Sequence, residues 1–334
     1  MAGGHGRWES VMPLLIKVPR TKDSASYPAM LNVLNRRQTA VQRALRRTGL
    51  AGYEPMTQAA LLALADRAPQ EFAFYDIGAH IGLYAALIDT VFYAKQPRTY
   101  AFEPTPEIAQ VAQSLARSNE LTFSVIEAAL SDGEGMATLY LSDKSETSNS
   151  LNSDFRQHAH AVEVRLTTVD AFADQVHVDP YVLKIDVETH EPAVLRGAMA
   201  TIERSRPWIV CEILRDGDHD AVGKVLHDLA ALGYAFHPLT DRFPWPTARP
   251  GDLRLMTGLG ARDWLLAPSA VDKGLTDDVA RWLVAIGQCD QTTNCLVDAG
   301  QPLPDGWNAA PAAKRAVIPS QRGLLDRVTR RAGR

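Results

Sequence analysis

The chain has 334 residues, of which 46% are hydrophobic and 22% are charged, as is typical of globular proteins. The formal net charge of −4 gives no general basicity, so a nucleic-acid partner is not expected. The three cysteines are too few and too scattered for a disulfide framework or a cysteine-based zinc site, which favours a reducing, cytoplasmic location.

Residues 1–69 are predicted to form an N-terminal helical extension. The stretch "VMPLLI" is too short for a signal-peptide core, and no other stretch approaches the length of a membrane span. Residues 1–30 lack a period and are predicted to be mostly irregular, whereas residues 31–48 carry an apolar stripe flanked by arginines. We interpret this basic helix as docked on the domain, with a surface for an anionic substrate, lipid or partner as the alternative. A second helix is predicted in "MTQAALLALADRA", with Thr57 as its cap.

Strands alternate with helices between residues 70 and 270. The predicted core strands are "EFAFYDIG", "RTYAFEP", "LTFSVIEAAL", "YVLKIDVE", "RPWIVCEIL", "YAFHPL" and "DWLLAP". The predicted helices between them are "HIGLYAALIDTVF", "TPEIAQVAQSLARSN", "EPAVLRGAMATIERS" and "DAVGKVLHDLAALG". An added antiparallel pair is expected in "GMATLYLS" and "AVEVRLTTVD", which alternate at period two. The pattern predicts an α/β domain with a mostly parallel sheet and helices on both faces, followed by a helical or irregular extension over 271–334.

The stretch "FYDIGAHIGLY" predicts a nucleoside site at the end of the first core strand. Asp76 ends the strand, and Gly78 and Gly82 flank the turn into the next helix. Ligands bind at the carboxyl ends of such strands, where glycine permits close approach and a helix start offers N–H groups. Glu103 ends the second strand, in the position where an acidic side chain accepts hydrogen bonds from ribose hydroxyls.

The spacing of these residues also bears on the kind of nucleoside. A dinucleotide fold uses G-x-G-x-x-G, whereas this chain has G-x-x-x-G after an acidic residue that repels phosphate. A negative Asp76 suits a cofactor with a positive charge, and S-adenosylmethionine carries both a sulfonium and an ammonium group. A nicotinamide-dependent oxidoreductase is the alternative enzyme class, and a binding module without catalysis is the other alternative.

Six stretches together resemble the FkbM family of methyltransferases over roughly residues 70–215. They are "FYDIGAHIGLY", "AFEPTPE", "EAALSDGEGMATLYL", "LTTVD", "LKIDVETHEPAVLRGA" and "RPWIVCEI". The resemblance implies a class I methyltransferase (Rossmann-like) fold, with seven strands of which the last is antiparallel. It also implies S-adenosylmethionine as methyl donor and a hydroxyl of a sugar, glycan, glycolipid or secondary metabolite as acceptor.

The resemblance carries over to individual residues. The implied cofactor-binding set is Asp76, Gly78, Ala79, His80, Gly82, Glu103, Ala128, Ala129, Ser131 and Asp132. His80 stands where the family usually has asparagine, and Thr189 stands where it usually has glycine. The second departure puts the local backbone beside the expected reaction centre in doubt.

Asp186, Glu188 and His190 are the candidates for activating the acceptor hydroxyl. They follow the fourth core strand at period two, so that an extended chain would present all three on one face. Histidine has the pKa best suited to a base near neutrality, and a neighbouring carboxylate can orient its ring. The alternatives are that Asp186 caps a helix or holds Lys184, that Glu188 is a helix N-terminal acid, and that His190 is a surface residue. No metal is predicted, although a divalent cation held by these three residues is a further alternative.

The acceptor is not defined by any readable code. The polar loop 143–155 is interpreted as facing the substrate, because serine, threonine and asparagine bond sugar hydroxyls well. The Pro/Gly-rich insertion 240–262 and the N-terminal helices are also expected to contribute to specificity. The oligomeric state is left open.

Overall fold

The structure is a computed structural model and describes residues 14–20, 30–33, 39–142, 149–152, 158–258, 260–290 and 292–293. The strands within these ranges are β1 (Leu15–Lys17), β2 (Met30–Asn32), β3 (Ala73–Ile77), β4 (Arg98–Phe102), β5 (Ser124–Ile126), β6 (Ala129–Leu130), β7 (Gly135–Ser142), β8 (His158–Thr167), β9 (Val182–Ile185), β10 (Trp208–Glu212), β11 (Ala235–Pro238), β12 (Asp263–Ala267) and β13 (Thr292–Thr293). The α-helices are α1 (Ala40–Thr48), α2 (Pro55–Arg67), α3 (Leu83–Val91), α4 (Pro106–Ser118), α5 (Val169–Val176), α6 (Glu191–Arg196), α7 (Met199–Ser205), α8 (His219–Ala231), α9 (Leu253–Gly258) and α10 (Lys273–Gly287).

Seven strands form the central sheet in the order β11-β12-β10-β9-β3-β4-β5. The strands β10, β9, β3, β4 and β5 are mutually parallel, and β12 runs antiparallel to both of its neighbours. The strand order reverses between β3 and β9, and open α/β sheets bind ligands at the carboxyl ends of the strands at such a point. This is the class I methyltransferase fold with the antiparallel last strand that the family resemblance implies.

Helices cover both faces of the sheet, because successive strand residues point to opposite sides. Phe74 packs with residues of α2, α3, α4 and α10 in one hydrophobic cluster. Tyr75 packs with residues of α5, α6, α7 and α8 in a second cluster on the opposite face. The predicted arrangement of helices on both faces is therefore confirmed.

Parts of both extensions pack on the first face. The small sheet β13-β1-β2 joins residues near the two ends of the chain, and α2 packs against α10. Arg67 in α2 donates to Asp278 in α10 over 2.6 Å. Ile16, Leu45 and Trp282 are buried in the same cluster as Phe74. The described parts of residues 14–69 and 271–293 therefore share a core with the sheet.

Two predictions about the N-terminal region are wrong. Residues 30–32 form a strand, and the helix predicted over 31–48 begins only at Ala40. Thr39 caps it by accepting from Gln42 N, and Gln42 Oε1 accepts from Thr39 N, so a capping box sets the start. Residues 15–17 lie in the stretch predicted to be mostly irregular and pair with this strand. Thr57 does not cap α2, because that helix starts at Pro55 and Thr57 lies buried inside its first turn.

Two predicted elements are divided. "LTFSVIEAAL" forms β5, which ends at Ile126, and then β6, which leaves the main sheet and pairs with β8. "EPAVLRGAMATIERS" breaks between α6 and α7, because the carbonyl of Gly197 accepts from Asp170 N. The carboxylate of Asp170 in turn accepts from Ala200 N and Thr201 N at the start of α7. The second predicted strand of the added pair ends at Thr167, where Thr168 caps the unpredicted helix α5.

None of the helices in the described ranges has the length and apolar content needed to cross a bilayer. The predictions for the first 13 residues and for the tail after residue 308 fall outside the described residues.

Candidate active site

A cleft of about 320 Å³ opens at the carboxyl ends of β3, β4 and β9. Its volume lies at the lower end of the range for small-molecule sites. Its lining combines the turn 77–81, the end of β4 with Glu103, and the segment 184–188 after β9. Tyr53, Glu54 and part of α1 close another side.

Both glycines of the turn after β3 are required by the protein itself. Gly78 has φ +76°, and a Cβ built on it would lie 1.7 Å from the carbonyl oxygen of Asp186. Gly82 also has φ +76°, and its Cβ would lie 3.1 Å from the ring of Phe123. Only Gly78 lines the cleft. The glycines therefore permit a close approach between neighbouring parts of the chain, and the approach of a ligand to Gly78 stays a prediction.

Glu103 lies at the cleft with both carboxylate oxygens held by backbone N–H groups. Oε2 accepts from His80 N over 3.0 Å, and Oε1 accepts from Thr105 N over 2.8 Å. Burial raises the pKa of Glu103, and these bonds oppose that rise. The Thr105 side chain also bonds this carboxylate, and a carboxylate with about four lone-pair sites still has one for a hydroxyl donor. Ala79 and His80, which join Gly78 to this contact, also line the cleft.

The segment after β5 is divided between the cleft and the surface. Ala128 and Ala129 are buried and line the cleft. The hydroxyl of Ser131 lies 2.9 Å from Nε2 of His190. Asp132 is exposed and pairs with Arg196 over 2.7 Å, and neither Ser131 nor Asp132 lines the cleft.

Asp76 is fully buried and does not line the cleft. Its Oδ2 accepts from Ala85 N over 3.2 Å, and its Oδ1 lies 3.7 Å from Lys184 Nζ. Burial raises the pKa of Asp76 to about 6, against the opposing charge of Lys184. The structure therefore separates Asp76 from direct contact with a ligand in the cleft. This carboxylate uses the N–H of Ala85, one of the free N–H groups in the first turn of α3.

Lys184 carries the positive charge beneath the cleft. Its Nζ lies 3.2 Å from Asp186 Oδ2 and donates to Gly78 O over 3.2 Å. Burial opposes its charge, but Asp186 and Asp76 outweigh burial and hold the pKa of Lys184 above its usual value. Burial likewise opposes ionisation of Asp186, and Lys184 lowers the pKa of Asp186 below its usual value. Asp186 therefore pairs with Lys184, as one of the alternatives from the sequence proposed. It also lines the cleft.

The turn after Asp186 has a left-handed backbone. Glu188 has φ +54° and Thr189 has φ +78°, a region that is rare for a β-branched residue. Glu191 Oε1 holds this turn by accepting from Val187 N and Thr189 N. Ser150 Oγ donates to Glu188 O over 2.6 Å. The backbone at Thr189 therefore has a conformation suited to glycine, the residue that the family resemblance led us to expect there.

Glu188 and His190 both line the cleft, and His190 also contacts the segment after β5. Burial lowers the pKa of His190, which favours the neutral ring at pH 7. His190 precedes α6 and is not a surface histidine. The first-turn acid of α6 is Glu191, so Glu188 does not have that role.

Sequence reasoning missed Glu212 and Arg262. Glu212 ends β10 beside β9, and Arg262 donates to it from the residue before β12. Burial, and then the charge of Asp186, raise the pKa of Glu212 to about 10. Among the described residues, Asp186, Glu188 and Glu212 form a group that could hold a metal ion, and His190 is not part of it. The signal in the sequence was an acidic residue at the end of a buried strand, the same signal that singled out Asp76 and Glu103.

The remaining wall of the cleft comes from the regions that were expected to set specificity. Asn149, Ser150 and Leu151 belong to the polar loop 143–155, of which residues 149–152 are described. Arg262 lies at the end of the insertion 240–262, and α1 contributes Ala40, Val41 and Ala44.

Residues 76–236 match the family described as methyltransferase FkbM domain. No curated protein matches the chain significantly. Among solved structures, methyltransferase FkbM from Methylobacillus flagellatus KT is 15% identical, with a TM-score of 0.39 over 60% of this chain and 44% of that chain. The chain thus spans less than half of that protein.

Two further solved structures show comparable similarity. A SAM-dependent O-methyltransferase from Thermotoga maritima is 12% identical, with a TM-score of 0.33 over 64% of this chain and 66% of that chain. The plantazolicin methyltransferase in complex with SAH is 10% identical, with a TM-score of 0.31 over 68% of this chain and 90% of that chain. The assignment of the domain rests on the family match and the strand order.

Proposed function

Because residues 76–236 are a methyltransferase FkbM domain, we propose that the chain transfers a methyl group from S-adenosylmethionine to a hydroxyl of its acceptor. The observation that carries this proposal is that a single cleft contains both halves of the predicted site. Glu103 lies at the end of β4, and Asp186, Glu188 and His190 follow β9. A nucleoside and an acceptor bound side by side would therefore meet within this cleft.

The β4 end of the cleft suits the nucleoside of the methyl donor. The carboxylate of Glu103 is oriented by two backbone N–H groups and can accept a hydrogen bond from a ribose hydroxyl. Ala128 and Ala129 provide a small apolar surface for the adenine ring. Gly78, Ala79 and His80 supply the adjoining backbone. Gly82, Ser131, Asp132 and Asp76 then belong to the supporting structure, because none of them lines the cleft.

Charge favours S-adenosylmethionine over a nicotinamide dinucleotide. Asp186, Glu188 and Glu54 line the cleft, and Lys184 and Arg262 are the cations that line it in the described part of the chain. Lys184 is already paired with Asp76 and Asp186. A sulfonium and an ammonium group would be attracted to such a surface, whereas a pyrophosphate would be repelled.

The chain's own residues would position the acceptor and remove its proton. S-adenosylmethionine supplies the activated methyl group, and an in-line displacement requires the acceptor oxygen to be held behind it. His190 is the better candidate for the base, because burial keeps its ring neutral and able to accept a proton. Asp186 is held by Lys184 and would orient the hydroxyl rather than deprotonate it. Glu188 remains the second candidate for the base.

We further propose that the acceptor is a sugar, a glycan or a glycosylated metabolite. Asn149, Ser150 and Glu54 present amide, hydroxyl and carboxylate groups at one wall of the cleft. Such groups pair with the several hydroxyls of a sugar ring. Val41 and Leu151 supply apolar contacts for a less polar part of the acceptor.

Buried free thiols at Cys211 and Cys289 agree with the predicted cytoplasmic location.

Calorimetry with S-adenosylhomocysteine and with NADH tests the cofactor. We expect S-adenosylhomocysteine to bind and Glu103→Ala to weaken that binding at least about 10-fold, which is the loss of one to two good hydrogen bonds. Glu107→Ala is the matched control, because Glu107 is an exposed acid four residues further along the chain. Binding of NADH without a response to S-adenosylhomocysteine would contradict the proposal.

Methyl transfer is tested with isotopically labelled S-adenosylmethionine and a panel of glycans and glycosylated metabolites. The expected product carries one new methyl group on oxygen, and the matching deoxy acceptor is not methylated. Cofactor binding with no turnover on any acceptor would instead favour a binding module with the methyltransferase fold.

A further inference from the structure

Three carboxylates meet where the ends of β9 and β10 lie side by side. One oxygen from each of Asp186, Glu188 and Glu212 lies within 4.8 Å of the other two. The backbones of β9 and β10 are hydrogen-bonded in parallel up to Ile185 and Cys211, which brings Glu212 beside Asp186 and the turn that carries Glu188. Asp186 and Glu188 line the cleft, and Glu212 lies behind them.

The cations around this cluster are shared with other carboxylates. Lys184 lies between Asp186 at 3.2 Å and Asp76 at 3.7 Å. Arg262 donates to Glu212 and also lies 3.8 Å from Glu54. Asp263, next to Arg262, has its pKa raised to about 6, first by burial and then by Glu54. In the described part of the chain, the carboxylates at the base of the cleft thus outnumber the two cations that contact them.

The carboxylate of Glu212 has one oxygen with a hydrogen-bond donor and one without. The residue is only 3% exposed, and its Oε2 is buried without a hydrogen-bond donor among the described residues. Its other oxygen, Oε1, accepts from Arg262. Because the ligand oxygens of Glu212 and Asp186 lie close together, the pair needs either a bound proton or a bound cation between them.

We propose that Asp186, Glu188 and Glu212 bind one hard divalent cation, such as Mg²⁺, Mn²⁺ or Ca²⁺, at the floor of the cleft. Carboxylate oxygens are the ligands that these ions prefer, and small side-chain rotations bring oxygens at this spacing onto one ion. Oxygens of water and of the acceptor would complete the coordination. Ion binding stands independently of the proposed methyl transfer.

The role of the ion in catalysis rests on the proposed function. A divalent cation beside an acceptor hydroxyl lowers the pKa of that hydroxyl and orients its oxygen. The O–H bond then breaks with the proton passing to His190, while a C–O bond to the methyl carbon forms and the C–S bond breaks. No electron is gained or lost in this step, and no further reactant is needed.

Isothermal titration of the full-length, chelator-treated protein with MgCl₂, MnCl₂ and CaCl₂ tests the site. We expect one ion per chain and a loss of affinity of at least about 10-fold in Glu188→Gln, since even outer-shell partners of a metal are worth that much. Glu188 is half-buried and tolerates the change better than Glu212, whose loss would leave Arg262 without its partner. Glu107→Gln is the matched control and should bind like the unchanged protein.

Three results would overturn the proposal. One is the absence of ion binding up to millimolar concentration, and another is equal binding by Glu188→Gln and the unchanged protein. The third concerns the protein without ions: it would bind S-adenosylmethionine more tightly than S-adenosylhomocysteine, and Glu188→Gln would abolish that preference. That result would mean that the sulfonium charge occupies the cluster. Ion binding without any binding of S-adenosylhomocysteine would uphold the ion site and reject the proposed function, so the two failures are distinguishable.

Discussion

At the β4 end of the cleft, both oxygens of Glu103 are held by backbone N–H groups. At the β9–β10 end, carboxylates outnumber the cations that contact them within the described residues. Positive φ angles occur at both ends, at Gly78 and His80 near β4 and at Glu188 and Thr189 after β9. A region that satisfies its own polar groups presents a fixed surface to a ligand. A region with unbalanced charge is where bound partners and chemistry contribute most.

Removing the cation shared between the two ends should have the largest effect. Lys184 is 4% exposed and lies between Asp76 and Asp186. Lys184→Met removes the cation that pairs with both carboxylates. We expect the free energy of unfolding to fall by about 3–5 kcal/mol. Urea unfolding measures the loss. The control Lys273→Met removes an exposed ion pair with Asp277 and should cost less than about 1 kcal/mol. Similar losses in both variants would show that the buried charges do not need Lys184.

The contact between Gly78 and Asp186 joins the two ends, and a substitution at Gly78 should destabilise the fold nearly as much. Gly78→Ala places a Cβ 1.7 Å from the carbonyl oxygen of Asp186 at φ +76°. We expect a cost of about 3–4 kcal/mol, because backbone strain and overpacking add. Gly82→Ala has the same φ but meets only the ring of Phe123 at 3.1 Å and the Cβ of Ala112 at 3.3 Å, so about 1–2 kcal/mol is expected. Thermal unfolding of the two variants compares them, and equal losses would mean that the contact with Asp186 is unimportant.

The two ends also differed in how far the sequence predicted them. Alternating strands and helices placed Glu103 and Asp186 at the edge where the cleft opens, because carboxyl ends of parallel strands share one edge. The roles of Asp76 and Glu212 depend on which charges lie opposite them, and that follows from strand neighbours far apart in the chain. The strand order that brings β10 beside β9 was implied by the family resemblance, but the ion-pair partners of Lys184 were not. Short strands such as β1 and β2 are stabilised by pairing with each other, which local periodicity does not record.

Asp89 is a buried carboxylate outside the cleft, with which the carboxylates at both ends of the cleft can be compared. It lies on α3, is 3% exposed, and accepts from Thr122 N and Thr122 Oγ1 over 3.0 Å each. Burial raises the pKa of Asp89 from 3.8 to about 6. Between these pH values the folded chain retains a proton that the unfolded chain has lost, so the stability conferred by the proton falls as pH rises. Across this window we expect Asp89 to lower the free energy of unfolding by up to about 3 kcal/mol.

Urea unfolding between about pH 4 and pH 7 checks this prediction with Asp89→Asn. The variant should lose less stability than the unchanged protein as the pH rises through the window. Asp132→Asn is the opposite control, because the hydrogen bond from Arg196 lowers the pKa of Asp132. Stability due to that pair is present at neutral pH and is lost as pH falls. Parallel pH profiles for Asp89→Asn and the unchanged protein would contradict the assignment of Asp89.

Thr189 should give the smallest effect, because two opposing contributions nearly cancel. Its φ of +78° is costly for a β-branched side chain, and Thr189→Gly removes that strain of about 1–3 kcal/mol. The substitution also removes the hydrogen bond that Thr189 Oγ1 accepts from Asn152 and adds freedom to the unfolded chain, together about 1–2 kcal/mol. We therefore expect a change of less than about 1 kcal/mol in the free energy of unfolding, from the difference of these terms. Thr201→Gly, at a buried threonine in α7, should instead cost more than about 2 kcal/mol, since helix propensity and packing are both lost. If Thr189→Gly lowered the free energy of unfolding as much as Thr201→Gly does, the turn after β9 would carry no strain.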